Sequence, residues 1–363
     1  MGFKKILSSA TAKAPSNIAL IKYMGKDDYS LNIPANPSLS LTLNSLCSYA
    51  EVKLIEAPEG SITWLPALPQ SVLQEDKGRI KTMSLSESGK CRVTAHIERV
   101  IAEASSVFLP YGLSFVSSDH LSIEVKTANT FPTASGIASS ASSFAAITLA
   151  TVAALAAEKK KLNQVLKENT HFRAELASLS RKGSGSSCRS FHGPWVLWQD
   201  KEVSSLRSSL PEMSDLVIVV TAEAKKISSS DAHRRVLSSP LWQGRQIRVS
   251  KRVAQLQEAL VANNLKSISK IAFDELWEMH SLFHTSSEPF TYWQPGSVKV
   301  LKWFIDFLQQ FDEPLIVTMD AGPNVHVLVR TSQANSLREK LSVSFPDFQI
   351  LQDSQGSGAT IID

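Results

Sequence analysis

The sequence predicts an α+β fold, since strand-like and helix-like segments follow one another in mixed order and not as regular βα units. Leu39, Leu41 and Leu43 alternate with polar residues in the period of a half-buried strand. The segment 142–157 is rich in alanine and too apolar for a surface helix, which indicates a buried one. A strand at 216–221 opens the second half, and long helices follow it. This order favours α+β over a doubly wound parallel sheet.

Length and charge limit the classes of protein to consider. A chain of 363 residues is long enough for a large core and suggests two lobes, or one large domain with a deep cleft. The net charge is only +4, and lysine and arginine are spread along the chain, which argues against a dedicated nucleic-acid-binding protein. A mild positive balance suits a small anionic substrate.

Cysteine spacing and apolar runs bear on the compartment. Cys47, Cys91 and Cys188 are far apart, odd in number and without CxxC spacing, so neither a disulfide framework nor a zinc site is indicated. The apolar patch near the N-terminus is too short for a signal peptide. The run 144–157 is too short to span a membrane. We therefore expect a protein of the reducing cytoplasm that does not act in a membrane.

The first half is predicted to consist mostly of strands. Residues 19–21 end a strand before a polar turn at 25–28. The further elements are strands at 39–44, 49–55 and 121–125, and a strand followed by a helix across 89–108, with the helix starting at His96. Around the turn, Lys22, Tyr23 and Lys26 can present two ammonium groups and a phenol to one anion, although solvated surface lysines are the more common case.

A small-residue loop opens the apolar helix. The stretch NTFPTASGIASSA, residues 129–141, contains Pro132, Gly136, Ser139 and Ser140. Several backbone N–H groups and the positive end of the helix dipole then point one way, which is typical of an anion site. The loop lacks the Gly-Lys-Ser/Thr of a Walker A motif and the GxGxxG of a dinucleotide fold. An ordinary Gly/Ser turn before a core helix explains the same residues equally well.

A second small-residue loop follows a predicted helix at 163–181. This loop, GSGSSCRS at 183–190, combines glycines, hydroxyls and one guanidinium. Glycines allow close backbone approach to a ligand, and the Arg189 guanidinium matches a carboxylate or phosphate in bidentate fashion. Arg189 is therefore the best candidate anchor for an anionic ligand. The alternative is a flexible Gly/Ser connector.

The second half adds one candidate for chemistry. Asp320 follows a hydrophobic strand and precedes an Ala-Gly-Pro turn, where the backbone is rigid and a carboxylate sits at the rim of the sheet. Aspartate is also a common turn residue before Gly-Pro. The run Ser-Ser-Ser-Asp at 228–231 indicates a helix N-cap first and an anion contact second. His280 and His284 share a helical face without a third ligand, so we expect core or surface histidines and no metal site.

Four stretches, in order along the chain, resemble one family. Residues 132–141, which read Pro-x-x-x-Gly-Ile-x-Ser-Ser-Ala, are similar to the phosphate-binding motif of the GHMP small-molecule kinases. APSNIALIKYMGKDD at 14–28, GSGSSCRS at 183–190 and MDAGPN at 319–324 resemble the N-terminal motif, the substrate loop and the catalytic-aspartate segment of the mevalonate diphosphate decarboxylases. Because the four stretches span nearly the whole chain, it is identified as a member of this family within the GHMP kinase superfamily.

The resemblance implies a two-lobed GHMP-kinase-like α+β fold with the active site in the cleft between the lobes. Residues 1–190 are expected to form an N-terminal lobe that binds ATP and substrate, and residues 191–363 a C-terminal lobe that carries the catalytic aspartate. The implied reaction is the ATP-dependent decarboxylation of mevalonate 5-diphosphate to isopentenyl diphosphate through a 3-phosphorylated intermediate. ATP and Mg²⁺ are the implied cofactors, and a homodimer is the expected assembly.

The resemblance also assigns roles to residues. The catalytic residues are expected to be Asp320, Lys22 and Arg189, the last holding the carboxylate that departs as carbon dioxide. The residues expected to bind the substrate are Tyr23, Lys26, Ser184, Ser186 and Arg189. Those expected to bind ATP, with its phosphates at the helix start, are Pro132, Gly136, Ser139 and Ser140. Phosphoryl transfer is catalysed mainly by positioning and electrostatics, which such a site supplies.

Some residues depart from the family pattern and leave alternatives. Met24 and Asp27 stand where the family usually has tryptophan and a basic residue. Ser230 stands where some members have arginine, and DELWEMH at 274–280 lacks the Asp-Ser-Asn of many members, although its histidine aligns. A decarboxylase for mevalonate 5-phosphate is therefore an alternative. A kinase that stops after phosphorylating C3 and a non-catalytic ligand-binding descendant are both disfavoured, because the chemistry residues are present.

Overall fold

The structure, a computed structural model, describes residues 5–57, 60–116, 121–131, 139–221, 226–307, 310 and 313–362. Up to residue 205 the elements are, in order, β1 (Ile6–Ile21), β2 (Lys26–Asp28), β3 (Ile33–Pro34), β4 (Ser38–Glu56), β5 (Ile62–Leu65), β6 (Lys81–Thr82), α1 (Glu87–Phe108), β7 (Leu121–Asn129), α2 (Ser139–Leu155), α3 (Lys159–Glu168), α4 (Thr170–Arg181), β8 (Trp195–Gln199) and β9 (Glu202–Ser205). Beyond it they are β10 (Met213–Val219), α5 (Ser229–Arg235), α6 (Arg245–Val261), α7 (Leu265–His284), α8 (Pro295–Phe307), β11 (Ile316–Thr318), β12 (Val325–Arg330), α9 (Ala334–Ser344), β13 (Gln349–Ser354) and β14 (Thr360–Ile361).

The first lobe is built on a sheet whose two long strands, β1 and β4, run antiparallel. The sheet order is β14-β1-β4-β7-β5, with β6 paired to β7 and with β8 and β9 attached through β4. The predicted strands at 39–44 and 49–55 are confirmed as parts of one strand, β4. Its polar residues Ser40 and Thr42 are buried as well as its leucines, because α2 packs against this part of the sheet and the second lobe covers more of it. β1 ends at Ile21, so the next residues enter the turn.

Helix α2 is the buried core helix that its composition predicts. Every residue from Ala141 to Leu155 is buried, because the helix packs against β1, β4, α1 and α4. Its first two residues, Ser139 and Ser140, are partly exposed and exposed. The helix therefore offers a ligand its N-terminus alone. Pro132 and Gly136, in the loop before it, lie outside the described residues.

Helix α1 is longer than predicted, and the predicted strand at 89–95 is wrong. The helix starts at Glu87, and the Ser86 hydroxyl caps it by accepting a hydrogen bond from the Gly89 N–H at 3.2 Å. Val93 resembles a strand residue because its side chain is β-branched. It lies instead on the buried face of the helix, where tertiary packing outweighs its local preference.

The predicted helix at 163–181 is two helices, α3 and α4. The break falls at Asn169, whose side-chain oxygen accepts a hydrogen bond from the Phe172 N–H at 3.0 Å and caps α4. Apolar residues continue at helical spacing across the break, which is why the sequence suggested one helix. The direction of α4 matters for the site, because α4 leads into the predicted 183–190 loop, most of which is a 3-10 helix, Gly185–Phe191.

The second lobe has a four-stranded antiparallel sheet in the order β11-β12-β10-β13. The predicted strand at 216–221 is confirmed in β10, which ends at Val219. Helix α7 packs on β11, α8 on β12 and α9 on β13. β11 ends at Thr318, so Asp320 lies just beyond the strand.

The lobes are joined by side-chain contacts to the backbone. The Asp353 carboxylate in β13 accepts hydrogen bonds from the N–H groups of Ser45 and Leu46 in β4 at 2.8 and 2.7 Å. β8 and β9 belong to the first sheet and β10 begins the second, while the division of the chain near residue 190 stays a prediction. No helix in the described part of the chain combines the length and apolarity needed to cross a bilayer.

Candidate active site

A cleft of about 610 Å³ opens between the lobes where β1 ends. The first lobe contributes the turn after β1, the start of α2 and the 183–190 loop. The second contributes the start of α5 and the turn after β11. The cleft is lined by every predicted site residue that the structure describes, namely Lys22, Tyr23, Lys26, Ser139, Ser140, Ser184, Ser186, Arg189 and Asp320.

An ion pair joins the two lobes at this cleft. The Lys22 ammonium lies 2.9 Å from a carboxylate oxygen of Asp320 and donates a second hydrogen bond to the Ala19 carbonyl at 2.5 Å. The Thr318 hydroxyl donates to the same carbonyl at 3.2 Å, so the ends of β1 and β11 are tied together. Both charged groups are therefore fixed by strand ends and not by mobile loops.

The electrostatics of the pair keep the carboxylate ionised. Burial alone would raise the pKa of Asp320, but the adjacent Lys22 ammonium outweighs burial and holds that pKa below its ordinary value. Burial lowers the pKa of Lys22, and the Asp320 carboxylate opposes this shift. The Asp320 side chain keeps 24% exposure against 2% for Lys22, so the carboxylate is the member that faces the cleft.

His280 holds the backbone of Asp320 by a hydrogen bond. Its Nε2 lies 3.0 Å from the Asp320 backbone carbonyl, and because a carbonyl oxygen only accepts, Nε2 carries the proton. Burial lowers the pKa of His280 to about 3, so the ring is neutral. Of the two expected placements, core or surface, His280 has the core one, since its side chain is fully buried on α7. The turn beyond Asp320 contains Gly322, whose φ of 92° favours glycine.

Arg189 is held rigidly at the floor of the cleft. Its Nε donates to the side-chain oxygen of Asn17 at 3.1 Å, and its Nη1 donates to the Ser38 hydroxyl at 2.8 Å. The guanidinium also lies over the Trp198 ring, 5.7 Å from the centroid. Burial lowers the pKa of Arg189, but a guanidinium stays charged in proteins. The result is a nearly buried, fixed cation that borders the cleft.

The two small-residue loops meet at the start of α2. The Ser184 hydroxyl donates to the Ser140 hydroxyl at 3.3 Å, which places the predicted substrate loop beside the predicted phosphate site. Asn17 donates to the Ser186 carbonyl at 3.3 Å and holds the next part of the loop. Helix α2 directs the positive end of its dipole and its first N–H groups at this point, which suits an anion.

Tyr23 has a buried hydroxyl that no group in the described part of the chain satisfies. Its ring packs on Trp198 and His233, with centroids 4.6 and 4.4 Å away. A Cβ at position 185 would come within 2.7 Å of the Tyr23 ring, so Gly185 is needed to leave the ring its place. An unpaired buried hydroxyl is costly, and a polar ligand atom in the cleft would satisfy it.

Cations gather at one end of the cleft. The Lys26 ammonium donates to the side-chain oxygen of Asn32 at 2.6 Å. Burial, together with Arg92 and Arg234, lowers the pKa of Lys26 to about 8. Arg92 on α1 and Arg234 on α5 also line the cleft. Three cations near one another repel, and this repulsion is relieved when a polyanion binds between them.

An apolar wall faces the charged side of the cleft. Its residues come mostly from the second lobe, and they are Met24, Ile227, Met279, Phe283, Tyr292 and Ala321. Such a wall contacts the hydrocarbon part of a small ligand and limits the water around it. The cleft thus combines a cationic end, a fixed carboxylate and an apolar side.

Sequence reasoning missed several groups that shape this site. Asn17 and Ser38 orient Arg189, and Asn17 lies inside the motif at 14–28, so its position was a usable signal. Arg92 and Arg234 carried no local signal, because each stands on a helix in another part of the chain. Ser228 is confirmed as an N-cap, since its hydroxyl accepts from the Asp231 N–H at 3.1 Å.

The polar groups that line the cleft suit an anionic ligand that carries a metal ion with it. Within the described ranges, no three histidine, cysteine, aspartate or glutamate side chains converge as a metal site. Mg²⁺ in phosphoryl-transfer sites is held largely by phosphates and water, with few carboxylates. The start of α2 therefore suits phosphates that would bring Mg²⁺ with them, while the Asp320 carboxylate is already paired with the Lys22 ammonium.

Comparison with known families covers both lobes. Residues 14–209 match the diphosphomevalonate decarboxylase-like N-terminal domain. Residues 215–360 match the mevalonate 5-diphosphate decarboxylase C-terminal domain. The two matches together span most of the chain, and the cleft is formed by residues of both.

Similar proteins agree with the family matches. The diphosphomevalonate decarboxylase of Ganoderma lucidum is 30% identical, over 96% of this chain and 84% of that protein. A crystal structure of the mevalonate diphosphate decarboxylase from Legionella pneumophila has a TM-score of 0.75 at 33% identity, covering 94% of this chain and 100% of that one. MDDEF, solved in complex with MVAPP, AMPPCP and magnesium, has a TM-score of 0.76 at 27% identity, over 98% of this chain and 99% of that one. The chain therefore belongs to the diphosphomevalonate decarboxylase family.

Proposed function

We propose that the protein catalyses the ATP-dependent decarboxylation of mevalonate 5-diphosphate to isopentenyl diphosphate, with ADP, phosphate and carbon dioxide as the other products. The observation that carries this proposal is the Lys22–Asp320 ion pair at 2.9 Å, in a cleft that also contains Arg189 and the start of α2. A carboxylate beside the reacting hydroxyl, a fixed cation for a carboxylate and an anion site for phosphates are what this reaction requires.

The phosphates of ATP are proposed to lie at the start of α2, against the N–H groups and the hydroxyls of Ser139 and Ser140. Pro132 and Gly136 are proposed to complete this site by their place in the motif. Bound Mg-ATP supplies the γ-phosphoryl group, and the ion neutralises charge that develops on the phosphates.

Asp320 is proposed to orient the C3 hydroxyl of the substrate and to accept its proton while the hydroxyl oxygen bonds to phosphorus. Its lowered pKa makes it a weak base, so the proton passes late, when the new bond has made the hydroxyl acidic. Lys22 stabilises the negative charge that gathers on the transferring group. Neither residue needs to move, since strand ends fix both.

Arg189 is proposed to hold the C1 carboxylate of the substrate while the C3–O bond breaks and phosphate leaves. The C1–C2 bond then breaks, its electron pair forms the C2–C3 double bond, and carbon dioxide departs. The apolar wall with Met24 and Met279 keeps water from the electron-poor C3, so that decarboxylation outcompetes hydration. Asn17 and Ser38 contribute by fixing the direction of the guanidinium.

The cationic end of the cleft supports a diphosphate in preference to a monophosphate. Lys26, Arg92 and Arg234 supply three positive charges there, and Tyr23, Ser184 and Ser186 supply hydroxyls. The Arg234 guanidinium lies one helical turn after Ser230, at which some family members have arginine. A second phosphate has cations to bind, and binding energy from this remote end is available to orient the reacting end.

Product analysis by mass spectrometry tests the proposal. The purified protein is incubated with Mg-ATP and, in parallel, with mevalonate, its 5-phosphate and its 5-diphosphate. Isopentenyl diphosphate and ADP from the diphosphate alone are expected. Isopentenyl monophosphate from the 5-phosphate would favour the sibling decarboxylase, and an accumulating 3-phosphorylated product would make the protein a kinase. Absence of ATP turnover with all three would refute an enzymatic role.

The assembly, the location and the lobe division are further parts of this proposal. We expect a homodimer, which light scattering after gel filtration tests. We expect the cytoplasm, in keeping with free thiols at all three cysteines, and cell fractionation tests this. We expect separate lobes on either side of residue 190, and limited proteolysis with mass spectrometry maps the boundary.

A further inference from the structure

Glu275 is a fully buried carboxylate on α7 that contacts the main chain of Lys22. Its Oε1 accepts a hydrogen bond from the Lys22 backbone N–H at 3.2 Å and another from Nη2 of Arg245 at 2.6 Å. Its Oε2 accepts from Nη1 of Arg252 at 2.6 Å. Glu275 is thus a buried carboxylate that accepts a hydrogen bond from the backbone of Lys22, a proposed catalytic residue.

The Lys22 backbone is held by hydrogen bonds at both its N–H and its carbonyl group. Glu275 holds the N–H, and the Asn36 side chain donates to the Lys22 carbonyl at 2.8 Å. Lys22 follows directly on the last residue of β1, where the ladder hydrogen bonds of the strand no longer fix the backbone. The Glu275 contact replaces them, and it comes from the lobe that also carries Asp320.

We infer that Glu275 is a positioning residue that fixes the Lys22 main chain from the second lobe and thereby keeps the Lys22 ammonium on Asp320. The arginine pair makes this possible. A buried carboxylate without partners is costly, whereas the guanidinium groups of Arg245 and Arg252 bind both of its oxygens and hold it in one orientation. The inference rests on the proposed function, because that function gives Lys22 its catalytic role. The contacts of Glu275 and Lys22 are independent of it.

The charge of Glu275 also acts on the Lys22 ammonium. Charged or titratable groups that face Lys22 are Asp320 from the turn after β11, Arg189 from the 183–190 loop, and Glu275 and His280 from α7. The pKa of Lys22 is lowered overall, and burial is the largest cause. Arg189 also lowers this pKa, whereas Asp320 and Glu275 raise it. Loss of the Glu275 charge therefore lowers the pKa of Lys22 and shifts any Lys22-dependent activity to lower pH.

The chain offers a matched control in Glu278, one turn along the same helix. Its carboxylate binds Nη1 of Arg245 at 3.2 Å and Nη1 of Arg252 at 2.5 Å, as Glu275 binds the same two arginines. It makes no contact with Lys22 among the described residues. Glu275→Gln and Glu278→Gln thus disturb the same ionic cluster, and the first alone alters the group that holds Lys22.

The test compares these two variants with the wild-type protein in decarboxylase assays across pH. For Glu275→Gln we expect kcat to fall at least about tenfold, the KM for mevalonate 5-diphosphate to stay within about twofold, and the alkaline limb of the kcat profile to move to lower pH. For Glu278→Gln we expect wild-type values of all three. A wild-type profile for Glu275→Gln, or equal losses in both variants, would overturn the inference.

Two further measurements keep the test decisive. NMR titration of the Lys22 side chain, labelled at Cε, reads its pKa without any turnover, so a failed decarboxylase assay would refute the proposed reaction and not the positioning role. Glu275→Gln is expected to lower that pKa, because a charge that raises it is lost, and Glu278→Gln is expected to lower it much less. If Glu275→Gln does not fold, Arg245→Met with Glu275→Met removes the buried pair together and is expected to fold but to lose kcat. A folded double variant with wild-type kcat would overturn the inference.

Discussion

The Lys22 ammonium and the Asp320 carboxylate lie 2.9 Å apart although the two residues are 298 positions apart in the sequence. Lys22 follows β1 in the first lobe and Asp320 follows β11 in the second, so the pair forms only when the two lobes are docked. The pair brings a nearly buried cation to a carboxylate that faces the cleft. The chemistry proposed for the protein follows from this contact.

Replacing Lys22 by methionine is expected to lower kcat by about 10²–10³-fold, as for loss of one transition-state donor. It should also move the acid limb of the pH profile to higher pH. Without the cation, burial is the main influence on Asp320 and raises its pKa, so the carboxyl is protonated over a wider range. The residual rate measured against pH checks this. Lys22→Arg keeps the charge and should keep the limb near its wild-type position, and an unmoved limb in Lys22→Met would contradict the account.

Replacing Tyr23 by phenylalanine is expected to weaken substrate binding without weakening the fold. Its hydroxyl has no partner among the described residues, and a hydrogen bond to a charged phosphate contributes about 1.5–3 kcal/mol. The KM for mevalonate 5-diphosphate should rise about ten- to a hundredfold. Tyr49→Phe is the matched control, because the Tyr49 hydroxyl donates to Asp76 at 2.6 Å, away from the cleft. It should lower the free energy of unfolding and leave KM unchanged; the reverse pattern would refute the prediction.

Substrate binding is expected to take up a proton above pH 8. In the free protein the pKa of Lys26 is lowered to about 8, so the amine is increasingly neutral as the pH rises above that value. A bound diphosphate favours the ammonium and raises its pKa, which means that affinity falls as pH rises and that a proton is taken up on binding. Calorimetry in buffers of different ionisation enthalpy measures this uptake. Lys26→Met should abolish it and Lys167→Met, on the exposed face of α3, should not; uptake that persists in Lys26→Met would contradict the assignment.

Arg92 and Arg234 are expected to discriminate between a diphosphate and a monophosphate. Each lines the cationic end of the cleft, and a charge-assisted hydrogen bond contributes about 1.5–3 kcal/mol. Arg92→Met or Arg234→Met should therefore weaken binding of mevalonate 5-diphosphate about tenfold or more, and binding of the 5-phosphate much less. Arg99→Met is the control on α1, since Arg99 donates to the Lys182 carbonyl outside the cleft. Equal losses for both ligands would refute the role.

Much of the site could be predicted from local sequence. Glycine and hydroxyl residues beside a helix mark the two loops, and the family resemblance assigned them to one site. Each of the motifs at 14–28, 183–190 and 319–324 contributes residues to one cleft. The buried helix α2 was predictable because its composition leaves no polar face. These features are short in range, so one window of sequence contains the whole signal.

Other features depend on contacts that no window of sequence contains. Arg92 belongs to the site because α1 passes beside the 183–190 loop, where its guanidinium donates to the Gly183 carbonyl at 3.4 Å. Glu275 lies in DELWEMH, which differs from the family pattern, and its role depends on Arg245 and Arg252 in α6. The strand predicted at 89–95 failed for a related reason, since burial of one helix face outweighed the strand preference of Val93.

Release of carbon dioxide from mevalonate 5-diphosphate labelled at C1 tests the central claim most directly. The wild-type protein with Mg-ATP is expected to release one carbon dioxide for each ADP formed. The Asp320→Asn variant should keep its affinity for the substrate within a few fold and release carbon dioxide about 10²–10⁴-fold more slowly, because the proton acceptor is lost. Wild-type release by Asp320→Asn, or ADP formed by the wild-type protein without carbon dioxide, would contradict the account.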